Sequence, residues 1–525
     1  MSTARVIQVV FSCLAVATAI AALPVATAQM IDNTQAQNNI NAGIHKSLLE
    51  EIGSGRGNVT TPGSSVFIIN RDPFRSIRRG RQLFQRKFTH AQGQGPNEKD
   101  GTGDLNVDLA IGAGLADSCA LCHGRPRGSA GVGGNVATRP DSRDAGHLFG
   151  LGLKEMLADE ITTDLRNIRD LAVARARQVH HPVTMELLSK GIRYGSITAN
   201  SDGTVDTSEV AGVDPDLRVR PFFAQGGTIS IREFVVGALH AEMGMEASSD
   251  PDLQTASSGG RVVTPAGMVL DGAKDRIEAP PPPDEQDGNE VDPAIVDHLE
   301  FYLLNYFKPG HARQDEETER GRRVFRKIGC ASCHIPDLTI NHDRRVADVE
   351  TVYDPTKEGS FNTLFATATP LFYTKSDGSV FPALKLPLGN SFVVKDIFTD
   401  FRRHDLGKAF YERNWDGTMQ TTFLTRALWG VGSTGPYGHD GRSVTLNDVI
   451  MRHGGEAQAS RDAFAAVGSG QQGALITFLN SLILFPPDDT ASTLDPGNPN
   501  DPNFPQSGHG SIKLTALFND QTDPE

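Results

Sequence analysis

A chain of 525 residues, 38% of them hydrophobic, is long enough to bury the cores of two globular domains. A formal charge of −14 argues against nucleic acid or an anionic membrane surface as partner and leaves a basic redox protein compatible. After the N-terminal segment no apolar run reaches the ~18 residues needed to cross a bilayer, so no membrane span is expected in the mature chain.

The N-terminus carries Arg5, an apolar stretch through Leu23 and the small residues Ala26-Thr27-Ala28, the pattern of a secretory signal cleaved after Ala28. A retained anchor fits less well, because the stretch is short, rich in small residues and interrupted by Pro24. Cys13 falls inside this segment, so the four remaining cysteines are those of Cys119-Ala-Leu-Cys122-His123 and Cys330-Ala-Ser-Cys333-His334. The mature chain then has no thiol left for a structural disulfide or a nucleophilic cysteine. Export places it in the periplasm.

Two segments follow one plan. The first opens at Arg79-Gly80, with Leu83-Phe84 four residues on, reaches Cys119 to His123, and closes with an apolar helix over Val296 to Phe307 before Pro309. The second opens at Arg320-Gly321, with Val324-Phe325, reaches Cys330 to His334, and closes over Ala474 to Phe485 before Pro486. Helix, attachment loop and late apolar helix make a cytochrome c domain, so the fold class expected is mainly α, with two cytochrome c-like haem domains and long irregular insertions. The boundaries are a signal peptide over 1–28, a first domain over 64–310, a second over 311–487 and an extended or disordered tail over 488–525. Within the first domain, Ala247 to Asp292 is polar, loses periodicity and contains Pro280 to Pro283, which reads as a linker over 247–292. Asn200 to Glu209 reads as a solvated hairpin, its carboxylates wrongly spaced for a calcium loop. Ile335 to Asp400 is a second long insertion.

In C-x-x-C-H the two thiols can add across the haem vinyl groups, and the adjacent imidazole can ligate the iron. Zinc is the competing reading of two C-x-x-C pairs, but each pair brings its own histidine at the haem position. Two covalent c-type haems are therefore expected, with Cys119, Cys122, Cys330 and Cys333 as attachment points and His123 and His334 as iron ligands. A closed, six-coordinate haem only moves electrons, whereas an open one can bind a small oxidant.

Downstream of the second motif, Thr445 with Asp448 is a capping-box start and Gly454-Gly455 a helix stop, which puts His453 at the C-terminal end of a short helix. The segment Pro436-Tyr437-Gly-His439-Asp440-Gly441, followed by Thr445-Leu446, resembles the second domain of bacterial di-haem cytochrome c peroxidases and of the di-haem enzymes that mature methylamine dehydrogenase. The fuller resemblance is to the di-haem oxidoreductase family of peroxidase-like proteins, sometimes labelled thiol oxidoreductases. It rests also on Phe88-Thr89 with Gly93-x-Gly95-Pro96, on Leu148 to Leu153 with Glu155, and on Arg232-Glu233-Phe234 through Glu242-Met243-Gly244.

In the peroxidases the sixth ligand of the second haem is a methionine fourteen residues after the histidine of H-D-G, and in the maturation enzymes it is a tyrosine. Here that position is His453. Met451 is a rival on another helix face, an ordinary capping histidine is the plain alternative, and His439 is expected to hydrogen-bond near the haem. Imidazole in place of methionine lowers the potential expected for this haem. Around the first haem the resemblance implies His147 as removable ligand or acid/base, with a packed histidine as the alternative, and His90 and His240 as substitutes. Glu155 is the candidate proton-carrying carboxylate or else an ion-paired core residue. The peroxidases' inter-haem tryptophan has no counterpart in the first half, since Trp415 and Trp429 both follow the second motif; Tyr437 is an aromatic substitute.

The resemblance implies a periplasmic di-haem oxidoreductase in which the second haem relays electrons and the first reduces an oxidant such as hydrogen peroxide. The donor would be a small cytochrome or copper protein. An electron-carrying cytochrome with both irons closed and a haem oxygenase-like enzyme on an organic substrate are the alternatives. A thiol oxidoreductase gains nothing from a chain without a spare cysteine.

Overall fold

The structure is a computed structural model that describes residues 47–95, 114–124, 130–133, 135–136, 143–281, 290–305, 310–312, 314–350, 367–414 and 416–484. The expected signal peptide over 1–28, the tail over 488–525 and Trp415 lie outside them. Among the described residues helix outweighs strand, and the strands pair only as two-stranded ribbons and one three-stranded sheet. No helix among them is long and apolar enough to cross a membrane.

Both arginine-glycine motifs sit on helices that cross a later apolar helix. The helix Pro73–Gln85 begins with proline at its first turn, where the missing N–H is no loss, and packs on Pro293–Asn305. The helix Glu316–Lys327 is capped by Asp315, carries three acidic residues in its first turn and two basic ones in its last, and packs on Ser469–Asn480. Each crossing is made at the glycine. A Cβ on Gly80 would lie 2.1 Å from the His298 carbonyl oxygen, and one on Gly321 would lie 2.0 Å from that of Ala474. Phe84 stacks edge-on against Tyr302 at the first crossing and Phe325 against Phe478 at the second.

The second closing helix departs from expectation. It starts at Ser469 and stops at Asn480, and Leu482–Ile483 then pair antiparallel with Gly310–His311. The buried run Leu482 to Leu484 supplies a strand because its backbone finds partners in the chain between the two halves.

Over the described residues 247–281, the stretch expected to be a linker is folded into the core. Asp250 caps the helix Pro251–Ser257, and Arg261–Val263 pairs with Val269–Asp271. Leu253, Ala256, Met268 and Leu270 are buried in the main core. Part of the charge that made the stretch look solvated is internal: Asp250 and Asp252 lie 2.5 and 3.5 Å from the buried Arg232 guanidinium, which Asp297 and Glu300 of the helix Pro293–Asn305 also contact.

The 29-residue helix Leu151–Val179 packs beneath the hairpin Val183–Ser189/Ile192–Ala199. The turn at 200–204 closes that hairpin onto Val205–Asp206, and Asp202 caps the Thr204 N–H at 2.8 Å. The insertion after the second motif forms short ribbons, and its Leu338, Ile340, Val346, Val394 and Ile397 join the core of the first half. A smaller core, centred on Phe325, Phe398, Phe464 and Phe478, serves the second half. The boundary expected near residue 311 therefore divides the sequence plan but not the packing.

Candidate functional site

Two adjoining cavities, of about 610 and 280 Å³, each open onto one C-x-x-C-H unit. Cys119 to His123 form a single helical turn that follows Ser118, and Cys330 to Ser332 a 3-10 turn that enters through Gly329 at φ 92°. That left-handed entry favours glycine. Burial pushes the Cys119 and Cys330 thiols up to about 12 and the Cys122 thiol to about 11, so none is a reactive thiolate. The two cysteine pairs line separate cavities, which disfavours the four-cysteine zinc reading.

The motif histidines share one arrangement. His123 Nδ1 lies 2.8 Å from the Gly146 carbonyl oxygen and His334 Nδ1 3.0 Å from that of Phe398. A carbonyl partner fixes the proton on Nδ1 and leaves Nε2 as the ligating nitrogen. Burial lowers both rings to about 4, against the pull of those carbonyls, so each is neutral near pH 7. His453 repeats the arrangement with Nδ1 2.7 Å from the Val449 carbonyl oxygen, and burial lowers its pKa too. It is the C-cap of the helix Leu446–Arg452, whose start is the Thr445/Asp448 capping box. It lines the second cavity with His334, whereas Met451 is 41% exposed and does not.

The donor set and cavities fit haem. Each cavity offers two thiols and a neutral imidazole on one turn, and the lining is more apolar than polar.

Other candidates fall into different places. His147 lines both cavities, but its Nε2 donates to the Trp429 carbonyl oxygen at 2.8 Å and its Nδ1 accepts the Phe149 N–H at 3.2 Å. Burial lowers it to about 3. With both nitrogens engaged by backbone, its geometry is that of the packed histidine, the alternative to a ligand or acid/base. Glu155 lines neither cavity; it accepts the Ile231 N–H at 2.7 Å and pairs with Arg344 at 2.5 Å. Of the two readings of Glu155, the geometry is that of the ion-paired core residue. His90 is exposed, while His240 lines the first cavity with Nδ1 3.8 Å from Glu246. His439 lines both cavities, stacks on Phe423 at 4.1 Å and has Nε2 3.5 Å from Glu412.

Several lining residues escaped the sequence reading. Glu242 lines the first cavity close enough to Cys122 to help raise its thiol, after burial. Its signal was the Glu242-Met243-Gly244 stretch already noted for resemblance. Lys154 and Arg426 line the seam shared by the cavities, and burial, then Arg426, lowers Lys154 to about 8. Trp429, although it follows the second motif, packs on Gly150 of the first half, where an added Cβ would meet its ring at 2.5 Å. Nothing in a linear sequence marks these residues as neighbours.

A helical chain with two cavities, each built on a C-x-x-C-H turn, belongs to the haem-binding class. More particularly, residues 358–482 match the family model described as "Di-haem oxidoreductase, putative peroxidase", so the resemblance to that family is borne out over this segment, which carries His404, His439 and His453. No curated protein matches the chain. Among solved structures, hydrazine synthase of Kuenenia stuttgartiensis, pressurised with 20 bar xenon, is similar at 16% identity and a TM-score of 0.23, over 37% of this chain and 57% of that one. A MauG-like protein associated with microbial copper homeostasis is similar at 13% identity and a TM-score of 0.20, over 63% of this chain and 88% of that one. This chain thus spans less than two thirds of the hydrazine synthase chain.

Proposed function

We propose that the protein is a periplasmic di-haem c-type oxidoreductase with two cytochrome c-like domains, in which the second haem relays electrons and the first reduces a small oxidant such as hydrogen peroxide. The observation that carries the reading is an asymmetry. The second cavity is lined by two neutral histidines, His334 and His453, each with Nδ1 held by a backbone carbonyl. In the first cavity His123 has that arrangement, and His147, the nearest following histidine, has both nitrogens engaged.

Haem attached at the four cysteines would supply a redox iron, an electron carrier where two protein ligands close it and a centre for oxidant reduction where one position stays open. The chain's own residues support that division. Glu242, one of the carboxylates on the wall of the first cavity, would move a proton to or from a bound oxidant. Lys154 and Arg426, which line both cavities, would offer cations to the carboxylates of a bound haem. Trp429 and His147 join the halves through the 2.8 Å hydrogen bond between them. The electron donor fits a small cytochrome or copper protein, and a basic one suits the charge of −14.

A carrier reading has one observation in its favour, the presence of His240 on the first cavity. Electron paramagnetic resonance of the oxidised and half-reduced protein separates the two. A high-spin signal from one haem, with peroxide consumed at the expense of a reduced donor protein, is the expected result. Two low-spin signals in every state, with no peroxide turnover, would overturn it.

A further inference from the structure

The second cavity has a histidine that the proposed reaction does not use. His404 lies on the strand Arg403–Asp405, paired opposite Phe423, with its side chain 4% exposed. Its Nε2 is 2.9 Å from Asp400 Oδ2 and its Nδ1 2.7 Å from Glu456 Oε2. A neutral imidazole has one N–H, so one of these contacts would set a ring lone pair against a carboxylate; both nitrogens donate only in the imidazolium. Burial opposes that charge, but the hydrogen bonds to Asp400, Cys333 and Glu456 raise the ring to about 10.

The two carboxylates come from segments on opposite sides of the cavity's chemistry. Asp400 ends the strap 398–400, in which the Phe398 carbonyl holds His334 Nδ1 and the Thr399 N–H donates to the Ile335 carbonyl at 3.0 Å. Glu456 lies three residues beyond His453, in the turn Gly455–Ala457. Its second oxygen accepts the Asp405 N–H at 3.0 Å, and the Gly454 N–H donates to the Leu406 carbonyl at 2.9 Å. The turn lies flat on the strand, since a Cβ on Gly455, at φ 51°, would come 2.2 Å from the Asp405 carbonyl oxygen. The sulfur of Cys333 completes a group with Asp400 and His404 whose atoms lie within 4.8 Å of one another. A sulfur committed to a thioether offers no thiolate to a metal ion, which leaves hydrogen bonding as the role of this group.

We infer that Asp400, His404 and Glu456 form a carboxylate–imidazolium–carboxylate clasp that ties the loop carrying His453 to the strap orienting His334, and so keeps the sixth ligand of the second haem in place. The inference rests on reading His453 as that ligand. Hydrogen bonds in which both partners are charged are the strong ones, and this pair spans the two segments whose separation would open the iron. His404 is thus a positioning residue.

The test uses the full chain with both haems, reduced, and carbon monoxide as the probe. Wild type should take up carbon monoxide rapidly at one haem. His453→Ala should add a second rapid phase, and Glu456→Ala and His404→Gln should speed uptake at the second haem about tenfold or more, with a fraction of that haem turned high-spin. If His453→Ala adds no phase, the ligand reading fails and the clasp with it. If His453→Ala opens the haem while Glu456→Ala binds as wild type does, the ligand reading stands and the clasp is overturned. Glu456, its side chain 51% exposed, tolerates truncation, so this variant decides the matter even where His404→Gln does not fold.

Discussion

His147 and His404 stand at the edges of neighbouring cavities with both ring nitrogens occupied, yet they differ in charge. His147 meets a backbone carbonyl and a backbone N–H, a donor and an acceptor that match a neutral imidazole, and burial lowers it to about 3. His404 meets two carboxylates, which only an imidazolium satisfies, and it is raised to about 10. Partner chemistry, more than position beside a cavity, decides the charge. The seam around His147 holds the cations Lys154 and Arg426, while the wall of the second cavity holds a closed pattern of opposite charges.

The sharpest way to break this comparison is to remove one cavity's attachment chemistry at a time. Replacing Cys119 and Cys122 by alanine, or Cys330 and Cys333, should each halve the haem per chain in a pyridine haemochrome assay. Peroxide binding, read from the absorption spectrum, should vanish with the first pair and survive loss of the second; the reverse pattern would exchange the two roles. Next in size, His453→Met should raise the second haem's potential by on the order of a tenth of a volt, a small part of the roughly 0.8 V that axial ligands span. An unmoved potential in spectroelectrochemical titration means that another residue ligates.

Gly80→Ala and Gly321→Ala compare the two helix crossings. The added methyl meets backbone at 2.1 and 2.0 Å, so each change should cost roughly 1–3 kcal/mol net of the better helix propensity of alanine, measured by denaturant unfolding. The smallest effect is in the pH dependence of stability. The lowered pKa of His147 gives stability that is present above about 6.5 and lost as pH falls toward about 3, so His147→Gln should flatten the acid limb of a thermal-midpoint profile. The raised pKa of His404 gives stability that is present below about 6.5 and lost as pH rises through about 10, so His404→Gln should flatten the alkaline limb instead. Identical slopes in both variants would contradict the charge difference.

Local features were legible in the sequence. The capping box at Thr445 and Asp448 placed His453 at a helix end because capping depends on residues three apart, and the paired Arg-Gly motifs marked the opening helix of each half; that each glycine is where that helix crosses the later one, because only glycine admits a backbone so close, came from the packing. Over 247–281 the polar composition conceals the buried Asp250 and Asp252, both held against Arg232, so a folded stretch reads as a linker. Between the two readings of Glu155 the sequence could not choose, because its spacing on the helix Leu151–Val179 shows that it is buried without showing against what; its partner Arg344 comes from the other half of the chain.

By itself the sequence determined the two C-x-x-C-H turns, their histidines and the helix pairs around them, since each is written in residues a few positions apart. Only the tertiary structure decided that His147 is held by backbone, that Trp429 lies against the first half, and that His404 is gripped by carboxylates from two segments. Those are contacts between distant parts of the chain, and a charge or a hydrogen-bond partner at such a distance is fixed by packing.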